Sequence, residues 1–321
     1  MPLARRLILA APALVIGTAR AQSPGWTVAT EYPATSIPGE GVTHFAAAAT
    51  ARGVPVTAAT DGPGGYRSAA ALTALAEGRF AAVDSFAGSM NAVDPLFLLS
   101  SLPFLTASHA DAARLRDLAR PHYVAALAKH GATLLWTTPW PPSGLWTRNK
   151  VPGPEDLRGL RVRTYDATGT EVLRAAGATA EVLSFAEVNA RLEAGTLDAV
   201  LSSGDGGAGR QLWRWLPNFT ELNYAWPLSL GFASNARLAE LTPAQRDAVT
   251  QAGAETEARQ WQAIVGRLDA NRRVMRDNRV AIHDPDAALR AALRGAAGGA
   301  IGQWRAAVGE AGAAILTAYV T

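Results

Sequence analysis

One arginine stands where its guanidinium could bind a carboxylate. Arg163 comes near the end of an apolar run, 160–165, whose composition is that of a β-strand. A side chain at the end of such a strand can point into a cleft, and its planar fork of N–H groups fits a carboxylate. An isolated arginine is more often one half of a surface ion pair. The residue by itself leaves both interpretations open.

A glycine-rich segment matches the pattern of a dinucleotide-binding loop but lacks its setting. Residues 204–209 read G-x-G-x-x-G directly after a predicted strand. That motif needs a full helix behind it and an acidic residue about twenty positions on, whereas Pro217 soon interrupts the next segment. We therefore expect a flexible turn, or a rim of backbone amides near a ligand, rather than nucleotide binding.

Residues for metal or nucleophilic chemistry do not cluster in the sequence. The chain has no cysteine, which excludes disulfides, thiolate metal sites, cysteine nucleophiles and a lipidated N-terminal cysteine. No nucleophile-elbow motif is present. The histidines lie far apart, at His44, His109, His122, His130 and His283. We expect no catalytic residues, no metal and no cofactor.

Length and charge narrow the class of protein further. The 321 residues are 49% hydrophobic, so the chain can bury a substantial core, and its length favours two packed units. The formal net charge of +3 is spread thinly, without a block of Lys and Arg. This distribution does not indicate a nucleic-acid partner.

The N-terminal residues 1–21 have the three parts of a secretory signal peptide. Arg5 and Arg6 supply the positive charge, residues 7–17 are apolar, and Ala19-Arg20-Ala21 is an A-x-A cleavage site. The apolar run is too short to span a bilayer, which takes about 20 residues. We expect cleavage after Ala21 and a periplasmic product. An ordinary N-terminal helix and twin-arginine export are the alternatives.

Strand and helix patterns alternate along the rest of the chain. Such alternation predicts an α/β fold with mostly parallel sheets. The predicted strands are 26–30, 54–59, 80–84, 133–137, 160–165, 179–183 and 197–201. Residues 111–130 show the apolar spacing of a helix between two of them.

Local signals place helix starts and one break. Ser184 with Glu187, and Thr242 with Pro243 and Gln245, are N-terminal capping patterns. The second opens a helical pattern to about residue 278, long enough to brace two lobes; two helices broken near Gly266 are the alternative. The proline-rich stretch 139–144 predicts a stiff crossing between lobes.

Several segments together resemble a known family of transport receptors. Residues 155–163 (EDLRGLRVR), 177–179 (GAT), 184–188 (SFAEV) and 192–199 (LEAGTLDA) have the residues and spacing of its core signature. Shorter matches upstream, at 78–80, 95–97 and 102–105, and downstream, at 234–235 and 241–245, extend the resemblance over nearly the whole mature chain. The family is the DctP family of TRAP transporter solute receptors.

The resemblance implies a set of ligand contacts. It assigns Arg163 to the ligand carboxylate, with Tyr165 beside it, and Phe185 to an aromatic wall. Ser202 stands where the family usually has an asparagine, and Ser203 follows it. The family places contacts from the first lobe after the early strands, where this chain has Tyr32, Tyr66 and Asp84. Core packing or loop capping explains each of these three residues equally well.

One departure from the family pattern bears on the ligand. Members that bind sugar acids often carry a second arginine about twenty residues before the first, whereas this chain has Trp140 and two prolines there. We therefore expect Trp140 at the site and a compact or aromatic monocarboxylate as the ligand.

The resemblance also implies architecture and partners. It predicts the two-lobe periplasmic-binding-protein fold, with two mostly parallel sheets, discontinuous domains and a long bracing helix. The first lobe would comprise 22–140 and 228–258, the second 141–227 and 259–321. The protein would bind a small organic acid by hinge closure and deliver it to the small and large membrane subunits of a TRAP transporter. The alternatives are a two-lobe enzyme and a sensory receptor for a similar carboxylate.

Overall fold

A computed structural model describes residues 25–321, which form two β-sheets flanked by helices. The predicted signal peptide lies outside the described residues. Within them, no helix is both long enough and apolar enough to cross a membrane.

The first sheet has five strands in the order β2-β1-β3-β10-β4. Its strands are β1 (Trp26–Thr30), β2 (Val56–Ala59), β3 (Ala82–Phe86), β4 (Ala132–Pro139) and β10 (Leu228–Ser234). Strand β1 is parallel to β2 and β3, whereas β10 runs antiparallel to both β3 and β4.

The second sheet has six strands in the order β11-β9-β5-β8-β6-β7. Its strands are β5 (Ser143–Thr147), β6 (Arg161–Thr164), β7 (Thr179–Val182), β8 (Ala199–Ser203), β9 (Asn218–Thr220) and β11 (Ala281–His283). Here β6 is parallel to β7 and β8, and β5 runs antiparallel to β8 and β9. The α/β class with mostly parallel pairing is confirmed.

Nine α-helices accompany these strands in the described residues. They are α1 (Ile37–Ala51), α2 (Ala71–Ala76), α3 (His109–Ala128), α4 (Ala167–Ala175), α5 (Phe185–Glu193), α6 (Gly204–Gly209), α7 (Asn235–Ala239), α8 (Pro243–Asp277) and α9 (Ala287–Val320). The seven predicted strands match β1–β4 and β6–β8 within a few residues, whereas β5, β9, β10 and β11 were not predicted.

Two of the passages of the chain between the sheets lie side by side. Strand β4 ends in the first sheet at Pro139 and β5 begins in the second at Ser143, so the proline-rich stretch is the crossing. The chain returns to the first sheet beside this crossing, in the segment between β9 and β10. The Trp140 N–H donates to the Pro227 carbonyl at 2.9 Å, and the Ser143 N–H donates to the Ala225 carbonyl at 2.9 Å. Two short crossings bonded to each other form a hinge.

Helix α8 contacts elements of both sheets, as expected of a brace. Thr242 caps it, accepting from the Gln245 N–H at 3.3 Å, and the helix continues unbroken for 35 residues. At 1.5 Å per residue this is roughly 52 Å. Trp261 and Ile264 pack into the core around the first sheet, and Met275 into a core of the second.

Helix α9 also touches both halves. Leu289 and Leu293 pack into the core of the second sheet, whereas Trp304 and Tyr319 pack into that of the first. The helix is kinked at Gly309, whose φ of 73° suits glycine. The strands fall into two groups, and the division of α8 and α9 between the two predicted lobes stays a prediction.

Candidate functional site

Arg163 lies on β6, next to the edge strand β7 of the second sheet, and is almost completely buried. Its strand, β6, is held between β7 and β8, and the residue is 5% exposed. Nε donates to the Leu183 carbonyl at 2.7 Å and Nη1 to the Leu201 carbonyl at 3.2 Å. These two bonds fix the direction of the guanidinium from the residue that follows β7 and from the middle of β8.

The charge of Arg163 has no carboxylate partner among residues 25–321. Burial lowers the pKa of its guanidinium to about 10, partly offset by Tyr32, Glu31, Tyr165 and Asp166. The group therefore remains protonated at neutral pH. A buried cation held only by carbonyl oxygens is costly unless an anion compensates it. The site is ready to receive a negatively charged group.

Aromatic rings surround this cation. The Phe185 ring lies 4.3 Å from the Arg163 guanidinium carbon, close enough for a cation–π interaction. Tyr32 packs edge-on against Trp140 at 4.7 Å, and Phe86 edge-on against Tyr165 at 5.2 Å. The walls are thus flat and largely apolar around one positive centre.

Hydroxyl groups supply the remaining polar contacts. The Tyr165 hydroxyl lies 2.9 Å from the Ser143 Oγ, and the Trp140 indole N–H donates to Ser229 at 3.0 Å. Ser203 ends β8 and accepts from the Gly206 N–H at 3.0 Å. The neighbouring Ser202 also lines the cavity. A bound acid would meet hydroxyl donors beside the guanidinium.

The structure brings seven of the nine predicted residues together around a cavity of about 30 Å³. They are Tyr32, Trp140, Arg163, Tyr165, Phe185, Ser202 and Ser203. The remaining lining residues, Phe86, Ser143, Gly206 and Pro227, were not predicted. Ser143 and Gly206 belong to the proline-rich and glycine-rich segments noted in the sequence, which is the only signal that could have indicated them.

Two predicted contacts lie elsewhere. Tyr66 is fully buried in the core of the first sheet, edge-on to Phe80, with its hydroxyl against Ser85. Asp84 lies within β3 opposite Gly231, and burial raises the pKa of its carboxyl well above the usual value. We expected both residues to follow early strands and to contact the ligand, but their side chains point into the protein and do not line the cavity.

A second arginine lies near the site, where the sequence indicated none. The Arg210 guanidinium carbon is 5.6 Å from the same Phe185 ring, and Nη2 donates to the Glu31 carbonyl at 2.8 Å. Arg210 follows the glycine-rich segment, which forms the short helix α6 instead of a phosphate-binding loop. Gly207 in that helix packs so closely on Trp146 that a Cβ would lie 2.2 Å from the indole. Close packing therefore explains this glycine.

The cavity continues into an adjoining chamber of about 200 Å³. Five residues line both spaces, namely Tyr32, Phe86, Arg163, Tyr165 and Phe185. Glu31, Arg67 and Asp166 are among those that line only the chamber. Asp166 caps α4 by accepting from the Gly169 N–H at 2.8 Å, and burial raises the pKa of its carboxyl to about 6. Opposite it, across the gap between the sheets, lie Gly88 and Ser101.

Other parts of the described chain do not bring predicted site residues or metal ligands together. A groove of about 280 Å³ beside the crossing is lined by Pro141, Trp226, Arg272 and neighbours, but by none of the nine predicted residues. Within residues 25–321, no group of three or more His, Asp or Glu side chains is placed to hold a metal ion.

Two lobes joined by a hinge and closed over one buried arginine define a solute-binding receptor of the periplasmic-binding-protein fold. The family model DctP, described as bacterial extracellular solute-binding protein family 7, matches residues 64–303. The chain therefore belongs to this family, the extracytoplasmic receptors of TRAP transporters. The resemblance found in the sequence is confirmed.

Solved structures agree with this assignment. DctP7 of Bordetella pertussis, a receptor binding pyroglutamic acid, is 24% identical with a TM-score of 0.89, over 93% of this chain and 100% of that one. A marine metagenome TRAP receptor specific for pyroglutamate is 25% identical with a TM-score of 0.87, over 93% and 99%. A Sulfitobacter receptor with bound β-D-galacturonate is 18% identical with a TM-score of 0.84, over 92% and 99%. No curated protein matches the sequence.

Proposed function

We propose that this receptor binds a compact monocarboxylate, with Arg163 as the anchor of the carboxylate. The observation that carries the proposal is the buried guanidinium of Arg163, which has two carbonyl partners and no carboxylate partner among residues 25–321. A bidentate carboxylate would compensate that charge and use the N–H groups that the carbonyls leave free.

The walls support a compact, flat ligand. Five of the residues lining the inner cavity are aromatic, namely Tyr32, Phe86, Trp140, Tyr165 and Phe185, and Arg163 is the one basic residue that lines it. A hexuronate carries hydroxyl groups around its ring, which would need more polar partners than these walls offer. Pyroglutamate, bound by two of the similar receptors, combines one carboxylate with a small flat ring. We take L-pyroglutamate as the first candidate.

The receptor would act without chemical turnover. Relatives of known structure are receptors, and the cavity residues contain no nucleophile paired with a base. We infer that the leader is removed after Ala21, that the mature protein works in the periplasm, and that the membrane subunits recognise its closed form. A sensory role for the same binding event would share every feature of the site.

A thermal-shift screen of the mature protein tests the ligand class. L-pyroglutamate, benzoate and D-galacturonate represent compact, aromatic and polyhydroxylated acids. A ligand at 100 times its dissociation constant adds about 2.7 kcal/mol to the free energy of unfolding. We expect a shift with one of the first two and none with galacturonate. A shift with galacturonate alone would contradict the proposed class, and loss of the ligand on incubation with the protein would indicate an enzyme.

A further inference from the structure

A buried carboxylate outside the ligand cavity links the two lobes. Asp205 lies in α6, directly after β8 of the second sheet, and is 2% exposed. Its Oδ2 accepts from the Ile37 N–H at 3.0 Å, and its Oδ1 accepts from the Arg267 Nε–H. Ile37 is the first residue of α1, which packs on the first sheet. Asp205 thus bonds to a helix of the opposite lobe.

The first-lobe partner of Asp205 is the positive end of a helix. The N-terminal N–H groups of α1 lack partners within the helix, and the helix dipole adds positive charge there. Ser36 satisfies one of them by accepting from the Gly39 N–H at 3.2 Å. Asp205 satisfies another. The N-terminus of α1 is therefore capped in part by the second lobe, and only while the lobes are together.

Arg267 extends the cluster along the brace helix α8. Its Nη1 donates to the Glu40 Oε1 at 2.8 Å, and its Nη2 donates to the Thr35 carbonyl. Glu40 belongs to the first turn of α1. Arg267 thus holds Asp205 of the second lobe and two acceptors of the first at once. Whichever lobe Arg267 follows when the hinge opens, bonds of this cluster must break.

The cluster pairs one guanidinium with two carboxylates. Burial raises the pKa of the Asp205 carboxyl, whereas Arg267 and the Ile37 N–H lower it. Burial lowers the pKa of Arg267, but Asp205 and Glu40 together raise it above its usual value. Removing one partner of a buried ion pair leaves the other charge uncompensated, which is strongly unfavourable. The arrangement therefore favours the closed lobes over any open one in which the pair is separated from α1.

We propose that Asp205 is a positioning residue that stabilises the closed lobes and so sets ligand affinity without touching the ligand. The proposal rests on the proposed function, in which the lobes close over an acid. Asp205 does not line the cavity, but its neighbours Ser203 and Gly206 do. Closure therefore forms ligand contacts and the interlobe contact within the same short segment, 203–206. Affinity falls in proportion to any loss of the closed population.

The absence of cysteine allows closure to be measured directly. Glu77, in the first lobe, and Glu193, at the end of α5 in the second, are both exposed. Spin labels on Glu77→Cys and Glu193→Cys would report the interlobe distance by pulsed electron resonance. The distance is measured without ligand and during titration with L-pyroglutamate, in the parent and in Asp205→Asn. Asparagine keeps the shape and the acceptor for the Ile37 N–H but removes the charge.

A second ion pair provides the control. Asp198 pairs with Arg161 through two hydrogen bonds, and both residues belong to the second lobe. Asp198→Asn therefore removes a carboxylate from an ion pair that does not cross the hinge. Glu40→Gln is a milder change at the interlobe cluster, because Glu40 is 31% exposed, and it serves if Asp205→Asn does not fold.

We expect Asp205→Asn to need about 10-fold more pyroglutamate for half-closure, with longer mean distances before ligand is added. Glu40→Gln should change in the same direction by less, and Asp198→Asn should match the parent. Distances and titration midpoints equal to those of the parent in Asp205→Asn and Glu40→Gln would overturn the proposal. If pyroglutamate closes none of the proteins, the proposed ligand fails, and the ligand-free distances still decide the role of Asp205.

Discussion

At the scale of single residues, the site is defined by charges that the fold removes from water. Arg163 is the clearest case, because the carbonyls of Leu183 and Leu201 direct it into the cavity while burial leaves its charge uncompensated. Asp166 is a second case, since burial between the lobes raises the pKa of its carboxyl from 3.8 to about 6.

Asp166 makes a testable contribution to the pH dependence of stability. The raised pKa means that the folded protein favours the protonated form of Asp166. The resulting contribution to the free energy of unfolding is full below about pH 4 and is lost as the pH rises through about 6. A shift of two pKa units corresponds to about 3 kcal/mol. We expect the free energy of unfolding of the parent, relative to Asp166→Asn, to fall over this range.

Urea unfolding at several pH values between 4 and 7 would measure that difference. Asparagine can still accept from the Gly169 N–H, so the cap of α4 is retained. A parent-to-variant difference that does not change with pH would show that Asp166 is not perturbed.

At the scale of elements, the sequence predicted what local signals determine. The cap at Thr242, the start of α5 at Ser184 and the strands β6 to β8 depend on neighbouring residues and alternating apolar runs. Strands β9 and β11 have three residues each and carry no usable periodicity. Strand β10 is completely buried and pairs with strands distant in sequence, so its neighbours were not predictable.

Helix α8 gives a prediction that separates one brace from two broken helices. Gly266 lies in the helix, is exposed, and has open space where a Cβ would be. Gly266→Ala should therefore raise the free energy of unfolding by about 0.5–1 kcal/mol, because alanine restricts the unfolded chain and favours helix. Urea unfolding measures the change.

A second glycine of α8 is the control. At Gly253 a Cβ would lie 2.8 Å from the Leu135 carbonyl oxygen of β4, so Gly253→Ala should destabilise the protein. If Gly266→Ala is also destabilising, the helix has a non-helical backbone at that point, and the alternative of two helices is correct.

At the scale of the whole molecule, the site forms only where two lobes meet. The lobe that contains the first sheet supplies Tyr32 and Phe86, and the lobe that contains the second sheet supplies Arg163, Phe185 and Ser202. Trp140 comes from the crossing between the two sheets. The sequence could predict most of these residues because the family motif preserves their spacing. It could not distinguish Tyr66 and Asp84 from Tyr32, because the direction of a side chain after a strand depends on packing that distant residues supply.

The central claim is that Arg163 anchors a carboxylate, and calorimetry on four proteins tests it most directly. The acid with the largest thermal shift is titrated into the parent, Arg163→Ala, Arg163→Lys and Arg161→Ala. Arg161→Ala is the control, because Arg161 is an exposed arginine of the same strand that pairs with Asp198. Losing a charged hydrogen bond costs about 1.5–3 kcal/mol, so Arg163→Ala should bind roughly 10- to 150-fold more weakly. Arg163→Lys should recover part of this, because an ammonium cannot form the bidentate fork. Equal affinity in all four folded proteins would contradict the account.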